Sequence, residues 1–343
     1  MPEPTAPSRS TAARGGLTMG DTTRRVVVLG ASGLVGSAVA ARYARHAVDL
    51  RLVSRRVPPT PPSGAARVSA LTGDLTDPVF AARAVDGADL VFHLVCHRLP
   101  GGSWQVGEDD PVAEAVNTGT VRSVAAALAR RADRAPDRPL PTVVLAGSST
   151  QPEDPGAPGT TPYDRHKSRA EGLLARAEAA GELRAVTLRL STVYGPAAPP
   201  TRDHGVVSAM VRRALAGEAL TVWGDGSVPR DPLHVADAAR AFEAAGERPA
   251  ALRGLRPVVG SGRPVRLDAL FSRVSRTVAE VTGRPPVPVV RVPPPEGASA
   301  ADATHAPADP GPFAGASGWS PRIGLAEGLR DTVLGLWPES APA

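Results

Sequence analysis

Residues 26–36 read VVVLGASGLVG, a β-branched apolar run that leads into three glycines spaced three residues apart. The run 26–29 is typical of a strand that is covered on both faces of a parallel sheet. An Ala-rich helical stretch, 37–46, follows the glycines. In this order of strand, turn and helix, the glycines let the backbone approach a pyrophosphate, whose charge is stabilised by the helix N-terminus. The stretch therefore predicts a dinucleotide-binding turn.

Strands and helices alternate from this turn to about residue 190. The alternation predicts an α/β fold, a Rossmann-type doubly wound parallel sheet with helices on both faces. We expect a nucleotide-binding domain over 24–190. The predicted strands are 26–29, 49–54, 68–71, 88–95, 142–146 and 183–190, and the predicted helices are 37–46, 111–131 and 161–180.

Beyond residue 191 the chain is richer in proline, and the regular alternation is lost. This part predicts a smaller mixed α/β substrate-binding cap over 191–340, of which 232–262 returns to the first domain. Trp223 is expected in its core. The predicted elements are a strand and turn over 220–227, a strand over 256–259, helices over 206–216, 238–245, 267–281 and 325–336, and an extended segment over 285–295.

The first 23 residues carry Pro, Ser, Thr and Gly without an apolar h-region, which predicts a disordered tail rather than a signal peptide. Met19 is an alternative start to Met1. No run of about 18 apolar residues is present, so we expect no membrane span and a cytoplasmic protein.

The one cysteine, Cys96, excludes an internal disulfide and a cysteine-based zinc cluster, and its apolar surroundings favour a buried thiol. We expect no metal site.

The charge balance gives little support to a nucleic-acid partner. The sequence pI is near 10.2, but 39 lysines and arginines face 34 acidic residues, which gives a net charge of +5. The high pI reflects arginine, which stays protonated, in place of lysine. No basic run is interleaved with aromatic residues, so a basic scaffold or nucleic-acid binder is the weaker interpretation.

Arg55 and Arg56 follow the second predicted strand. Dinucleotide folds contact the adenosine ribose about 20 residues beyond the glycines, which is this position. A carboxylate there would accept a hydrogen bond from a free 2′-hydroxyl, whereas guanidinium groups pair with a 2′-phosphate. The two arginines therefore favour NADPH over NADH. The alternative is a pair of solvated arginines at a strand end.

Tyr163 and Lys167 combine two rare residue types. Lys167 is the only lysine in the chain, and tyrosine occurs three times. On a helix, residues four apart lie on one face, one turn from each other. A nearby ammonium stabilises a phenolate, so such a tyrosine can protonate a carbonyl oxygen or take a proton from an alcohol. The alternative is a solvated pair on a surface helix.

Other polar residues follow predicted strands at the carboxyl edge of the sheet, where open α/β sheets bind ligands. Asp74 is a candidate partner for an adenine amino group. Asp77 is typical of a helix N-cap, with Pro78 at the first helical position. The loop HRLPGGSWQ at 97–105 and the strand end GSST at 147–150 are expected at the same edge.

These motifs resemble, in order and spacing, those of the extended short-chain dehydrogenase/reductases, a family of nucleotide-sugar epimerases, dehydratases and reductases. The resemblance covers about residues 24–335. It rests on GASGLVG at 30–36, GDLTDP at 73–78, VFHLV at 91–95, VNTGT at 116–120, VLAGSST at 144–150, YDRHK at 163–167, LRLSTVYGP at 188–196, VWGDGSVPRDPLHVAD at 222–237 and VGSGRPV at 259–265. Within the family, the chain is most similar to NDP-4-keto-6-deoxyhexose 4-ketoreductases, through HRLPGGSW at 97–104, STQPEDP at 149–155 and PVPVVRVPPPEGA at 286–298.

The resemblance implies a catalytic group of Ser148, Tyr163 and Lys167, with Asn117 as its fourth member. Ser148 would hydrogen-bond the substrate carbonyl, and Ser149 is the alternative at this position. Asn117, the only asparagine, would hold a water that links Lys167 to solvent. Lys167 would also bind the nicotinamide ribose. The implied cofactor contacts are Gly30, Ser32, Gly33, Leu34, Val35, Gly36, Arg55, Arg56, Asp74, Leu75, Leu94, Val95, Tyr163, Lys167 and Leu190.

For the substrate, the resemblance makes Arg230 the candidate that contacts the diphosphate, and a planar guanidinium matches phosphate oxygens. The alternative is a surface pair of Arg230 with Asp231. His97 and Trp104 would line the sugar pocket, unless their loop makes no substrate contact. The implied substrate contacts are Ser149, His97, Trp104, Thr192, Arg230 and Arg291.

The resemblance implies reduction rather than dehydration. The related 4,6-dehydratases place Asp-Glu directly after their catalytic threonine, whereas residues 149–151 read STQ here. A diffusible NADPH suits net reduction better than epimerisation. We expect NADPH-dependent reduction of the C4 ketone of a dTDP-4-keto-6-deoxyhexose or 2,6-dideoxyhexose by a homodimer, in deoxysugar and antibiotic biosynthesis. The alternatives are a nucleotide-sugar epimerase of the same family and a non-catalytic NADPH-binding regulator.

Overall fold

A central parallel sheet organises the protein in its computed structural model. The structure describes residues 23–97, 106–107, 110–134, 137–154, 156–157, 160–199, 201, 205–293 and 308–337. The tail expected at 1–23 lies outside the described residues except for Thr23. The strands are β1 (Arg25–Leu29), β2 (Asp49–Ser54), β3 (Arg67–Thr72), β4 (Leu90–His93), β5 (Thr142–Ser148), β6 (Arg184–Leu190), β7 (Thr192–Tyr194), β8 (Leu220–Trp223), β9 (Pro229–Arg230), β10 (Pro232–His234), β11 (Val258–Val259), β12 (Val265–Arg266) and β13 (Val289–Val292).

Seven strands form the central sheet in the order β3-β2-β1-β4-β5-β6-β11, and each neighbouring pair is parallel. The chain moves outward from β1 to β3 and then crosses back to β4, so the strand order reverses between β1 and β4. Open α/β sheets bind ligands at such a switch point, outside the carboxyl ends of the strands. The predicted Rossmann-type fold is confirmed.

Helices connect most of these strands. They are α1 (Leu34–Tyr43), α2 (Pro78–Ala84), α3 (Pro111–Glu114), α4 (Thr120–Arg134), α5 (Pro162–Ala179), α6 (Val206–Leu215), α7 (Val235–Glu247), α8 (Leu267–Thr282), α9 (Gly311–Ser317) and α10 (Leu325–Leu336). A π-helical turn, Ala115–Gly119, joins α3 to α4, and a 3-10 turn, Pro249–Leu252, follows α7. Within the described parts of the chain, no helix has the length and hydropathy of a membrane span.

The two faces of the sheet are both covered, because alternate residues of a strand point to opposite sides. Val26 and Val28 of β1 pack with residues of α1 and α7 on one face. Val27 and Leu29 pack with residues of α2, α4 and α5 on the other. All four side chains are fully buried. Burial on both faces explains why the sequence of β1 is an uninterrupted apolar run.

A third core among α6, α8 and α10 forms the smaller, mixed part of the fold. Short strand pairs accompany it: β7 with β10 and β8 with β13 are parallel, and β9 with β12 is antiparallel. The chain also returns to the central sheet from this part, since β11 pairs with β6 and residues of α7 pack with those of α1.

Several local expectations were wrong. Trp223, expected in the core, ends β8 and is 43% exposed. Cys96 is half-buried rather than buried, because it lies three residues beyond the end of β4. The helix predicted over 111–131 is interrupted by the π-helical turn and continues to Arg134. The strand predicted over 256–259 is reduced to Val258–Val259, since Pro257 has no N–H to donate to a neighbouring strand.

Candidate active site

The glycine turn after β1 is built so that only glycine fits at two of its positions. Gly30 has a φ of +86°, and a Cβ there would lie 2.9 Å from the Leu94 carbonyl oxygen. A Cβ on Gly36 would lie 2.1 Å from the carbonyl oxygen of Gly30, so α1 packs directly on the turn. The backbone is therefore open to a close ligand, as a pyrophosphate requires.

The N-terminus of α1 is suited to an anion. Gly33 is the N-cap residue and offers no side-chain cap, and the first turn, with Leu34 and Val35, holds no acidic residue. The first N–H groups of the helix and its dipole are thus available to negative charge. Thr201 Oγ1 donates to the Ser32 carbonyl oxygen over 2.8 Å, so the loop that follows β7 reaches the same turn.

The ends of β2 and β3 carry the candidate contacts for the adenosine. Arg55 and Arg56 directly follow β2 and are exposed, and within the described residues neither guanidinium has a hydrogen bond or ion pair. Asp74 follows β3, is exposed, and accepts from the Thr76 N–H over 2.9 Å. The side chain of Leu75 is buried in the core. Both the exposed arginines and the exposed carboxylate remain open to a nucleotide.

Lys167 and Tyr163 lie in the first two turns of α5. Lys167 is 3% exposed, and its Nζ donates to the Ala146 carbonyl oxygen over 2.9 Å. The same Nζ lies 5.7 Å from the centre of the half-buried Tyr163 ring. The alternative of a solvated surface pair is wrong, since the ammonium is held inside the protein against β5.

Ser148, the last residue of β5, lies two residues beyond the carbonyl that Lys167 contacts. It is half-buried, and its Oγ lies 2.7 Å from Thr150 Oγ1. Ser149 is half-buried as well and anchors the strand end, because its N–H donates to the Leu190 carbonyl oxygen over 2.9 Å. The structure thus brings Ser148, Tyr163 and Lys167 to one edge of the sheet.

A buried ion pair that sequence reasoning missed supports this strand end. Gln151 Oε1 accepts from the Ser148 N–H over 2.7 Å, and Gln151 Nε2 donates to Glu171 over 3.2 Å. Arg189 of β6 donates to both oxygens of Glu171 from Nε and Nη2. Arg189, flanked by Leu188 and Leu190 in the strand 183–190, was the available signal, since a buried guanidinium requires a carboxylate partner.

Asn117 lies in the π-helical turn and is 2% exposed. Its Oδ1 accepts from the His97 N–H over 2.8 Å, and its Nδ2 has no hydrogen-bond partner among the described residues. Thr118 Oγ1 donates to the His166 carbonyl oxygen over 3.3 Å, which fixes the turn to α5 one residue before Lys167. The Nδ2 group left over on this buried amide is suited to a bound water.

His93, which sequence reasoning did not assign, lies at the end of β4 and is fully buried. Its Nε2 lies 3.0 Å from Thr120 Oγ1, whose own proton is donated to the Val116 carbonyl oxygen. The imidazole therefore carries its hydrogen on Nε2. Burial first, and then the charge of Lys167, lower the pKa of His93 to about 3. His93 is therefore a neutral imidazole near pH 7.

The candidate substrate contacts are more scattered. His97 Nε2 lies 3.7 Å from an Asp110 carboxylate oxygen, and Trp104 lies outside the described residues. Thr192 is half-buried at the start of β7. Arg291 is 66% exposed on β13, with its guanidinium 3.9 Å from Asp268.

Arg230 is half-buried on β9, and its guanidinium donates to the Pro229 carbonyl oxygen over 2.9 Å. Asp231 is fully buried and accepts from the N–H groups of Ser261 and Gly262. The alternative of an Arg230–Asp231 surface pair is therefore wrong, because this carboxylate holds the turn after β11.

The remaining candidate cofactor contacts lie at the same edge of the sheet. Leu94 and Val95 directly follow β4, and Leu190 ends β6; all three are half-buried. Asp77 caps α2 as predicted, accepting from the Val79 N–H over 2.9 Å. Among the described residues, no group of three or more His, Cys, Asp or Glu side chains could hold a metal ion.

Known proteins share both the sequence pattern and the fold. The profile of the NAD dependent epimerase/dehydratase family matches residues 26–259. The chain is 30% identical over 254 residues to a UDP-glucose 4-epimerase of Mycolicibacterium smegmatis, covering 71% of this chain and 75% of that protein. It is 28% identical over 326 residues to a dTDP-6-deoxy-L-talose 4-dehydrogenase (NAD(P)(+)) of Kitasatospora kifunensis, covering 93% and 96%.

A solved structure has the same architecture. The structure of MoeE5 in complex with UDP-glucuronic acid and NAD superposes with a TM-score of 0.73 and 26% identity, covering 92% of this chain and 99% of that one. The similarity therefore extends over the sheet and the smaller mixed part together.

Proposed function

Because the chain belongs to the NAD dependent epimerase/dehydratase family of extended short-chain dehydrogenase/reductases, we propose that it reduces the C4 ketone of a dTDP-4-keto-6-deoxyhexose with NADPH. The buried ammonium of Lys167, fixed to β5 beside Ser148 and one turn from Tyr163, is the observation that carries this proposal. A relative aligned over nearly the whole chain is a 4-dehydrogenase of a dTDP-6-deoxyhexose, which supports the sugar class and the reacting carbon.

The proton in this reaction comes from Tyr163. When bound along the glycine turn, NADPH supplies the hydride that reduces the C4 carbon. As the carbonyl oxygen gains charge, the Tyr163 hydroxyl transfers its proton to that oxygen, and the Lys167 ammonium stabilises the resulting phenolate. Ser148 orients the C4 oxygen from the strand end. Asn117, whose Nδ2 has no hydrogen-bond partner among the described residues, holds a water that links Lys167 to solvent.

The proposed binding residues divide between cofactor and substrate. The glycine turn and the N-terminus of α1 hold the pyrophosphate. Arg55 and Arg56 pair with the 2′-phosphate of NADPH, and Asp74 accepts from the adenine amino group. Arg230 binds the nucleotide diphosphate, and Ser149, His97, Trp104, Thr192 and Arg291 are the other proposed substrate contacts. We place the enzyme, as a homodimer, in deoxysugar biosynthesis.

Dehydration and epimerisation are the two alternatives to reduction. Elimination of water needs an acid and a base next to the reacting carbons, and the residues that follow Ser148 are uncharged Ser149 and Thr150. Epimerisation at C4 is the second candidate, because a UDP-glucose 4-epimerase is 30% identical over most of the chain. An epimerase regenerates its cofactor in each cycle, whereas a reductase consumes it.

Net consumption of the cofactor therefore distinguishes a reductase from an epimerase. Purified protein is mixed with NADPH and a dTDP-4-keto-6-deoxyhexose, and the absorbance of the reduced nicotinamide is followed. A parallel reaction supplies UDP-glucose and tests for UDP-galactose by chromatography. We expect stoichiometric loss of NADPH in the first reaction and no product in the second.

Matched tyrosine variants show which residue supplies the proton. Tyr163→Phe is expected to lower kcat by about 10²- to 10⁴-fold, the usual contribution of a positioned proton donor. Tyr43→Phe is the control, since the Tyr43 hydroxyl contacts Glu247 between α1 and α7. Undiminished turnover in Tyr163→Phe, or no NADPH loss with several such sugars, would exclude the proposal.

A further inference from the structure

Two buried polar atoms of complementary type lie near Lys167. One is Nδ1 of His93, whose residue ends β4 and is 1% exposed. The other is Nδ2 of Asn117, in the π-helical turn, whose residue is 2% exposed. Neither atom has a hydrogen-bond partner among the described residues. Since a buried polar group without a hydrogen bond is destabilising, both atoms require a partner.

The contact with Thr120 shows that His93 Nδ1 is an acceptor. The Val116 carbonyl oxygen has no hydrogen of its own, so the 2.7 Å contact between it and Thr120 Oγ1 contains the hydroxyl proton. Thr120 is 1% exposed, and only lone pairs of its Oγ1 remain for His93 Nε2 at 3.0 Å. The ring hydrogen therefore lies on Nε2, and Nδ1 carries a lone pair. Asn117 Nδ2 is a donor.

These two atoms belong to neighbouring parts of the fold. Thr120, which contacts His93, lies one turn after Asn117 in the chain. Asn117 Oδ1 accepts from the N–H of His97, in the segment that directly follows β4. Both side chains therefore lie between the end of β4 and the start of α4.

Lys167 borders the same space from α5. Its Nζ donates to the carbonyl oxygen of Ala146, which directly follows Leu145, the residue of β5 that pairs with His93. After burial, the Lys167 charge is the next cause that lowers the pKa of His93. A buried water needs two to four polar partners, and His93, Asn117 and Lys167 supply an acceptor and two donors.

We propose that His93 is a positioning residue whose Nδ1 accepts a hydrogen bond from the water that Asn117 holds. The water site stands on these contacts alone, whereas its consequence for catalysis rests on the proposed function. With one O–H directed at Nδ1, the lone pairs of the water oxygen face the Asn117 amide and the Lys167 ammonium, which are both donors. The second O–H is left for the path to solvent.

The oriented water stabilises the charged form of Lys167. In the surroundings of this ammonium, β5 and the π-helical turn contribute only neutral side chains, β4 contributes His93, and α5 contributes Tyr163. A hydrogen bond from the ammonium to an oriented lone pair raises the pKa of Lys167. The charged lysine is the form that stabilises the Tyr163 phenolate.

Two replacements of His93 separate this role from its contact with Thr120. A glutamine amide reaches the position of Nε2, and an asparagine amide reaches the position of Nδ1. His93→Gln therefore keeps a donor for Thr120 and removes the acceptor for the water. His93→Asn keeps an acceptor for the water and removes the contact with Thr120. A merely structural role of the ring would make His93→Asn at least as harmful as His93→Gln.

Crystal structures of the substrate-free protein test the water site directly. We expect a water within about 3.2 Å of both His93 Nδ1 and Asn117 Nδ2 in the wild type. The same water should be retained in His93→Asn and lost in His93→Gln. A wild-type structure without this water, or one in which His93→Gln retains it, overturns the inference.

NMR of the ring nitrogens tests the hydrogen position in solution, again without substrate. The protein is labelled in its histidine rings, and the His93 signals are identified by their loss in His93→Gln. We expect a protonated Nε2 and an unprotonated Nδ1 that accepts a hydrogen bond. A proton on Nδ1 overturns the inference.

Turnover gives the readout that depends on the proposed function. The alkaline limb of the kcat profile should move to lower pH by about one pH unit in His93→Gln, because the Lys167 ammonium loses a hydrogen bond. His93→Asn should keep the wild-type profile. Equal shifts in the two variants, or none in His93→Gln, overturn the role in positioning. If no keto sugar is turned over, the proposed function fails, and the crystal and NMR results still decide whether His93 holds the water.

Discussion

Replacing Glu171 by alanine is expected to weaken both the fold and the strand end that carries Ser148. The Glu171 carboxylate accepts from Arg189 over 3.1 and 3.2 Å and from Gln151 over 3.2 Å. The Arg189 side chain is only 4% exposed and that of Glu171 9%. Alanine therefore leaves a guanidinium inside the protein without its main counter-charge.

The loss of stability in Glu171→Ala depends on the charged partner that Arg189 retains. Removing one partner of a buried ion pair costs about 3–5 kcal/mol. Arg189 keeps Glu153 at 2.9 Å, but the Glu153 side chain is 84% exposed, and pairs with solvated partners contribute little. We expect a free energy of unfolding lower by about 3 kcal/mol, which is roughly a 150-fold change in the ratio of folded to unfolded protein.

Glu171→Ala is also expected to lower the catalytic rate, because Gln151 connects Glu171 to Ser148. This side chain loses its Glu171 acceptor, and its Oε1 is the acceptor for the Ser148 N–H over 2.7 Å. A shift of the strand end misplaces Ser148 relative to Tyr163. We expect kcat to fall by about tenfold or more, since displacements of about 1 Å at a reacting centre cost up to 10²-fold.

Denaturant unfolding, followed by both fluorescence and circular dichroism, measures the stability change. Arg256→Ala is the matched control, because Arg256 reaches the same carboxylate at 3.1 Å from a side chain that is 53% exposed. Its loss should cost less than about 1 kcal/mol. Equal losses in Glu171→Ala and Arg256→Ala would refute the reasoning, which attributes the larger loss to the burial of Arg189.

Three other predictions concern the cofactor site and its surroundings. Replacing Arg55 and Arg56 together by serine should raise KM for NADPH about tenfold or more in initial-rate kinetics, with little change for NADH, and equal effects on both cofactors would contradict the assignment. Gly36→Ala should weaken NADPH binding about tenfold in calorimetric titration, because the new Cβ would lie 2.1 Å from a carbonyl oxygen of the turn. Gly172→Ala in α5, where the nearest atom lies 3.6 Å away, should leave binding unchanged and stabilise by up to about 1 kcal/mol. The pKa of His93 is lowered from 6.5 to about 3 by burial and then by a nearby ammonium, so the unfolded chain binds a proton that the folded protein does not. Stability should therefore fall as the pH drops from about 6.5 toward 3, and His93→Gln should flatten that part of the melting profile; identical slopes would argue against it.

The central fold could be predicted because its signals are local. An apolar run, a glycine turn and a helix lie within residues 26–46, and strand and helix alternation fixes a parallel sheet. The pairing of Tyr163 with Lys167 follows from the same kind of evidence, since helical spacing alone places both on one face.

The features that the sequence did not predict depend on contacts between distant segments of the chain. Glu171 and Arg189 lie 18 residues apart, and Asp164 lies 14 residues beyond Thr150. Neither pair has a periodic signature, because the two partners belong to different elements that meet only in the folded protein. The π-helical turn at Asn117 was missed for a similar reason, as helix propensity does not distinguish it from a continuous helix.

The single lysine gives the protein an unusual chemical property. Apart from the α-amino group, Lys167 is the only primary amine in the chain, and it is 3% exposed. Reagents that acylate or reductively methylate amines can therefore modify just one amine side chain, and only when motion of the residues that bury it admits them. Reaction at this nitrogen, read by intact-protein mass spectrometry, reports access to the proposed catalytic centre without any engineered label. An isotopically marked methyl group placed there would give one side-chain NMR signal, located where the proposed proton transfer takes place.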